Sequence, residues 1–460
     1  PMRPALLFVL VAALAPGSGI GDPGSGSQIA NRQSRVASAT PDWTSIQGEA
    51  VGLLQEYVPP DTSNPPGDTR KTADFLESIL KRDGVPVTRY ESQPGKAIVV
   101  ARLKGRGAAK PVLLLHHMDV VPADRSRWDV DPFAATIKGG EMWGRGTMDM
   151  KGLGVAHLLA FLTLKRQNVP LTRDVILMAV PDEEVGGQLG ARWMIEHHFS
   201  ELDPEYVLDE GGFGSEDLFA AGKLVFGISV AEKQIAWMKI RAEGVAGHGS
   251  QPHDRNPNDR LVRGLTRLLE KPMPAPSNPV LATMKARVGT FAANKFTNAI
   301  QNSTITLTTL DAGVGDPKKV NVIPSAAEAQ IDCRLLPGTD ATQWVDDITS
   351  RLGDPSLKVE TFYLSDPSIV SPADSPMYEA LETAIRAQYP AAVVTPMLIP
   401  YGTDSNAFRA KGAKSYGVMP AVLSADIVAS MHGNAERVPV AGLGPAVRIF
   451  YQALTQVAGR

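Results

Sequence analysis

Three short apolar runs each end in acids or imidazoles, and no other feature constrains the fold as tightly. They are VLLLHHMDVVP (112–122), VILMAVPDEEVGG (175–187) and YVLDEGG (206–212). Each reads as a strand. Segments 45–57, 70–83 and 152–167 read as helices, and Ala97–Leu103 as a further strand. Strand–helix alternation of this kind predicts an α/β fold with a mostly parallel sheet flanked by helices. In such open sheets ligands bind in the crevice beyond the carboxyl ends of the strands. Three strands delivering charge to one edge therefore form a site pattern. A solvated loop acid is the plain alternative at any single strand end.

The texture changes near residue 233. Alternating strands (AWMKIRAEG, STITLTTLDAG, AAEAQIDCRLL) then dominate, with helices near 256–270 and 340–352. Helix–strand alternation returns after about 366. The expected organisation is a catalytic domain in two parts, 41–232 and 366–460, with an inserted α+β unit at 233–365. A chain of 460 residues is long enough for two folded units. Residues 1–20 have the basic, apolar and small-residue order of a secretory signal peptide, followed by a Gly/Ser-rich linker at 21–40. This predicts a secreted or periplasmic protein with no stable membrane anchor, because Ala5–Ala15 is short for a span. The net charge of -3 and the lack of a long basic run argue against a nucleic-acid partner. The single cysteine, Cys333, excludes an intrachain disulfide and a thiolate metal cluster. Any metal must be held by His, Asp and Glu.

His117 and Asp119 are two apart on a strand, so they are expected on one side, with the carboxylate orienting an imidazole that binds metal. His116 points the other way and reads as packing. Glu183 and Glu184 are adjacent in a turn, so one can ligate while the other faces the attacking water as general base. Asp149, in WGRGTMDMKG, could bridge two metals or simply cap the following helix. His432, in SMHGNAERVP, would be the nitrogen ligand of a second metal; alone it is an ordinary polar residue.

HMDVVP, GRGTMDMKG, PDEEVGG, LDEGG, GHGSQP, NVIP and SMHGNAERV occur in one order. The chain thus resembles the aminoacylase/carboxypeptidase family of co-catalytic zinc peptidases, over roughly 45–455. In look it is closest to the secreted N-acyl amino acid hydrolases. The resemblance implies two Zn(II) per subunit, with Co(II) or Mn(II) as alternatives. One would be held by His117, Asp149 and Glu210, the other by Asp149, Glu184 and His432. Asp209 is the alternative third-strand ligand. Glu183 would be the base and Asp119 would orient His117. The inserted unit would be a lid that also makes a homodimer. There His248 would reach the other subunit's site and stabilise the oxyanion. Asn321 would lie nearby, or be only a turn residue. Arg334 would clamp a substrate carboxylate, or form an ordinary strand ion pair, and Gly402 would add a backbone N–H. A cis peptide after Asp149 is also implied. The expected activity is hydrolysis of an amide next to a free carboxylate, in a short peptide or an N-acyl amino acid. A di-zinc aminopeptidase and a catalytically silent binding protein are the competing readings.

Overall fold

The computed structural model describes residues 40–273 and 276–459. The expected signal peptide and linker lie outside the described residues, apart from residue 40. A sheet of eight strands runs in the order 87–91, 97–103, 173–180, 109–117, 206–215, 414–422, 225–232 and 393–399. The strands from 173–180 to 414–422 are parallel neighbours. Register explains the convergence of the acids. His117 lies opposite Val180, and Leu114 opposite Leu208. The loops leaving these strands therefore emerge at one edge. Gly417 is needed there, since a Cβ at that position would stand 1.7 Å from the Glu210 carbonyl oxygen.

Helices cover the sheet. Trp43–Tyr57 starts at Asp42, whose carboxylate accepts from Thr44 N and Ser45 N. Lys151–Arg166, whose sequence reads as amphipathic, is instead buried on every side from Lys151 to Leu164, because it packs between the sheet and other helices. Leu443–Ala458 packs beside it. Among the described residues no helix is long and apolar enough to cross a membrane.

A second, four-stranded antiparallel sheet runs 304–312, 326–335, 234–243 and 358–364. Its strands alternate as written. Ala236, Met238 and Ile240 face a core with Ala329, Ile331 and Cys333, closed by Trp344 and Ile348 of helix Ala341–Leu352 and by Leu261 and Leu265 of helix Pro257–Leu269. The segment between its strands behaves differently. Val280, Met284, Val288 and Ile300 join the large core. The excursion 279–301 thus returns to the larger sheet, carried by helices Pro279–Val288 and Lys295–Gln301.

A three-stranded ribbon of Thr136–Lys138, Glu141–Trp143 and Arg437–Pro439 sets Arg437 opposite Trp143. It joins two loops nearly 300 residues apart in sequence, those of Asp149 and His432.

Candidate metal centre and active site

Asp149 is the hub. Its Oδ1 lies 3.0 Å from His117 Nε2, and its Oδ2 lies 3.0 Å from His432 Nε2. Glu210 Oε1 stands 3.7 Å from His117 Nε2, and Glu184 Oε2 stands 3.3 Å from His432 Nε2. His117, Asp149 and Glu184, and likewise His117, Glu183 and Glu210, offer donor atoms within 4.8 Å of one another. The following helix has Met150 at its N-cap and no side-chain cap, so Asp149 is not a helix cap. The Asp149–Met150 peptide is cis. Glu210, and not Asp209, joins the cluster: Asp209 turns away to accept from Ser405 Oγ at 2.9 Å.

Electrostatics shows what the cluster lacks. Burial raises the carboxyls of Glu183 and Glu210 well above the usual range, and the charges of Glu210 and Asp149 respectively add to this. Glu184 is raised by burial and by Asp149. Burial would raise Asp149 too, but hydrogen bonds from His117 and His432 hold it below the usual range. His432 is pushed up to about 10 by its bonds to Asp149 and Glu184. Burial alone would lower His117; the bond to Asp149 and the charges of Glu210 and Glu183 outweigh it and raise the imidazole. Acids packed this closely out of water are short of positive charge. Oxygen and imidazole donors of this kind suit divalent cations.

One expectation changes. His117 Nδ1 bonds the main-chain oxygen of Asp119 at 2.9 Å, and the Asp119 carboxylate is 3.7 Å away. The strand ends at His117, so the same-side rule no longer governs Asp119. Donation to a carbonyl still fixes the Nδ1–H side of the ring, and a metal at Nε2 would take the place of the proton that Asp149 accepts there. The Asp119 carboxylate instead accepts from Asn64 Nδ2 at 2.7 Å and from the N–H groups of Glu183 and Glu184, each at 3.3 Å. It holds the turn that carries both glutamates. His116 is buried against Tyr57, as expected for packing.

Residues without a sequence signal of their own hold this frame. Asp182 has φ +79°, in the left-handed region that side chains rarely adopt. It is pinned by Lys96 Nζ at 2.8 Å and Leu189 N at 3.0 Å. Glu436 is fully buried; its Oε1 accepts from the N–H groups of Gly146, Met148 and Asp149 at 2.9, 3.1 and 3.2 Å. Arg145 bonds Glu436 at 2.5 Å and grips the carbonyls of His432 and Gly433 at 3.2 and 3.0 Å. Asp404, buried beside Gly187, is raised by burial and by the charge of Asp209. Its only signal was an acid in GTDSN just beyond a strand end.

The other expected residues lie on or beside the smaller sheet. His248 is exposed, bonds Ser250 Oγ at 2.7 Å and pairs in a short ribbon with Val322. Asn321 accepts Gly249 N on its main-chain oxygen at 2.8 Å. Neither has a hydrogen bond to the acid cluster. The Arg334 fork is engaged by Asp332 at 2.8 and 3.0 Å, so the plain strand ion pair is present. Gly402 packs toward Ile235 and Glu232, and Glu232 receives the N–H of the next residue, Thr403, at 3.0 Å.

Residues 113–456, well over half of the chain, match the profile of Peptidase family M20/M25/M40. Among curated relatives, mouse N-fatty-acyl-amino acid synthase/hydrolase PM20D1 is 28% identical, with 98% of this chain and 95% of that protein covered. Mouse Aminoacylase-1 is 27% identical, over 81% of this chain and 86% of its own length. The fold matches the M20 family metallo-carboxypeptidase Sso-CP2 from Sulfolobus solfataricus with TM-score 0.70 at 20% identity, covering 89% of this chain and 99% of that one. These likenesses uphold the resemblance to aminoacylases and carboxypeptidases. The chain belongs to peptidase family M20/M25/M40 and is a hydrolase acting on amide or peptide bonds.

Proposed function

We propose that the chain hydrolyses the amide of an N-acyl amino acid or short peptide next to a free carboxylate, as a secreted two-zinc enzyme working as a homodimer. The observation that carries the metal reading is Asp149, with one carboxylate oxygen toward each of two imidazoles. His117, Asp149 and Glu210 would hold one ion, and Asp149, Glu184 and His432 the other. Zinc is the proposed metal, and cobalt or manganese would suit the same donors. Bound there, the ions would polarise the scissile carbonyl and acidify the attacking water.

The chain's own residues supply the rest. Glu183, raised by burial, takes a proton from the attacking water and delivers it to the leaving amine. The main-chain oxygen of Asp119 fixes the His117 tautomer. His248 of a second copy would donate to the developing oxyanion. Arg334 would exchange its bond to Asp332 for the substrate carboxylate, and Asn321 and Gly402 would line the same approach. The names of the aminoacylase and N-fatty-acyl-amino acid relatives support this substrate class.

The bidentate Arg334–Asp332 pair keeps the aminopeptidase reading open, because a clamp that stays occupied recognises nothing. Amine release from matched free-acid and C-terminally amidated substrates separates the two. Cleavage of the free acids alone supports the clamp, and equal cleavage of the amides removes it. Glu183→Gln should retain two metals per chain by elemental analysis while losing at least about 1,000-fold in kcat, within the usual scale for a general base. Near-normal turnover would remove Glu183 from its role.

A further inference from the structure

We propose that Trp237 and Tyr363, on the face of the smaller sheet that meets the glutamate turn, hold the side chain of the substrate's amino-acid half and select an aromatic one. This rests on the amidohydrolase reading above and goes beyond it, because that reading leaves the amino acid open. Trp237 alternates along its strand with Ala236 and Met238, which face the core, so it lies on the opposite face with Ile235. It is 36% exposed, although tryptophan is on average well buried. Its ring meets that of Tyr363 at 4.6 Å, tilted by 35°. A β-bulge makes this pair. Thr361 lies opposite Met238 and Tyr363 opposite Trp237, with Phe362 as the extra residue between them. In regular register Tyr363 would fall opposite Ala236, on the core face. The bulge therefore re-aims its ring to the outer face.

That face turns toward the larger unit. A Cβ at Gly186, three residues after Glu183, would stand 3.8 Å from the Tyr363 hydroxyl, and one at Gly402 would stand 3.0 Å from Ile235 Cδ1. Arg192, on the helix after the glutamate turn, pairs at 2.7 Å with Asp366, just beyond Tyr363. Placement relative to the clamp sets the ligand. Ile235 lies opposite Arg334, and Trp237 lies opposite Asp332. The aromatic pair is thus two residues along the strands from Arg334, about 7 Å, and beside the turn that carries the base. A substrate with its carboxylate on Arg334 and its amide at Glu183 has its α-carbon between them. The substituent on that carbon is the amino-acid side chain, and the rings lie on its path. A methyl group stops short of them, whereas a benzyl group spans the gap and stacks against the Trp237 face.

The test is kcat/KM of the metal-loaded full chain on N-acetylalanine, N-acetylphenylalanine and N-phenylacetylalanine. The last two are isomers that carry the same benzyl and methyl groups on opposite sides of the amide. N-acetylphenylalanine should exceed N-acetylalanine at least about tenfold, the scale of burying one aromatic side chain. Calorimetric Kd values on Glu183→Gln should differ in the same sense, which reads binding without turnover. Trp237→Ala should bring the phenylalanine-to-alanine ratio below about threefold, while the ratio of N-phenylacetylalanine to N-acetylalanine stays within about twofold of wild type. Trp237→Phe, which keeps a ring, should retain most of the preference. A wild-type protein with no preference for N-acetylphenylalanine over N-acetylalanine overturns the proposal without any variant and leaves the amidohydrolase reading intact. So does a Trp237→Ala loss that falls on N-phenylacetylalanine, since the rings would then serve the acyl half. No hydrolysis of any of the three removes the parent reading and this assignment with it.

Discussion

Glu436 to alanine should carry a large cost although Glu436 is not itself a proposed metal ligand. The side chain is fully buried and ion-paired at 2.5 Å to Arg145, which is itself buried. Breaking a buried pair from one side typically costs about 3–5 kcal/mol, because the remaining charge is left uncompensated. Three main-chain donors, Gly146, Met148 and Asp149, lose their acceptor as well. Water entering the truncated space would recover part of that loss, so we expect about 4 kcal/mol, a large share of a domain's usual stability. The damage should concentrate at the metal centre. Arg145 also holds the His432 and Gly433 carbonyls, so both loops that meet at Asp149 lose their tie. Urea unfolding of the metal-free protein reads the first effect, and competition with a metal chelator the second, where affinity should fall at least tenfold. Glu436→Gln keeps an oxygen for the three amides but no charge for Arg145, and should fall between wild type and alanine. A Glu436→Ala protein within about 1 kcal/mol of wild type, with unchanged metal affinity, would refute the reasoning.

Three further outcomes are expected. Burial, and after it the charge of Arg334, lowers the Lys233 ammonium to about 7, whereas an unfolded chain titrates lysine near 10.4. Between those values the unfolded state binds more protons, so this residue makes stability rise with pH by about 1 kcal/mol per unit. Lys233→Met should flatten the slope in urea melts at about pH 7.5 and 9.5, and an unchanged slope would discard the assignment. Mixing Glu183→Gln with His248→Ala, each inactive alone, should restore about a quarter of wild-type activity if His248 acts across a symmetric dimer; no recovery, with mixed dimers demonstrated, removes that role. Chelation should lower Tm, since ions that bind only the folded state stabilise it by about 2.7 kcal/mol at 100 times Kd. A Tm indifferent to chelator would mean that the acid cluster does not hold metal.

Much of the site is legible in the sequence because its groups follow the point where an apolar run stops. His117, Glu183 and Glu184 mark the ends of two strands in this way, whereas Glu210 follows the third run but lies inside the strand 206–215, where the pairing with 414–422 shifts register. Alternation likewise marks the second sheet, because its strands bury one face only. Asp149 and His432 carry no comparable pattern and came from motif resemblance. Each alone is an acid before a helix or a late polar histidine.

Tertiary structure decided the rest, because those facts depend on what lies opposite a residue. The three-stranded ribbon brings Trp143 against Arg437 and, together with the Arg145–Glu436 pair, sets Asp149 between two imidazoles. The strand ending at His117 turned the Asp119 carboxylate from the imidazole to the glutamate turn. Glu436 and Arg145, 291 residues apart, look like ordinary surface charges until burial makes each the other's counter-ion. Local sequence sets which element forms and where it ends. The partner of a buried charge is set by the packing of distant segments, which no local pattern of residues records.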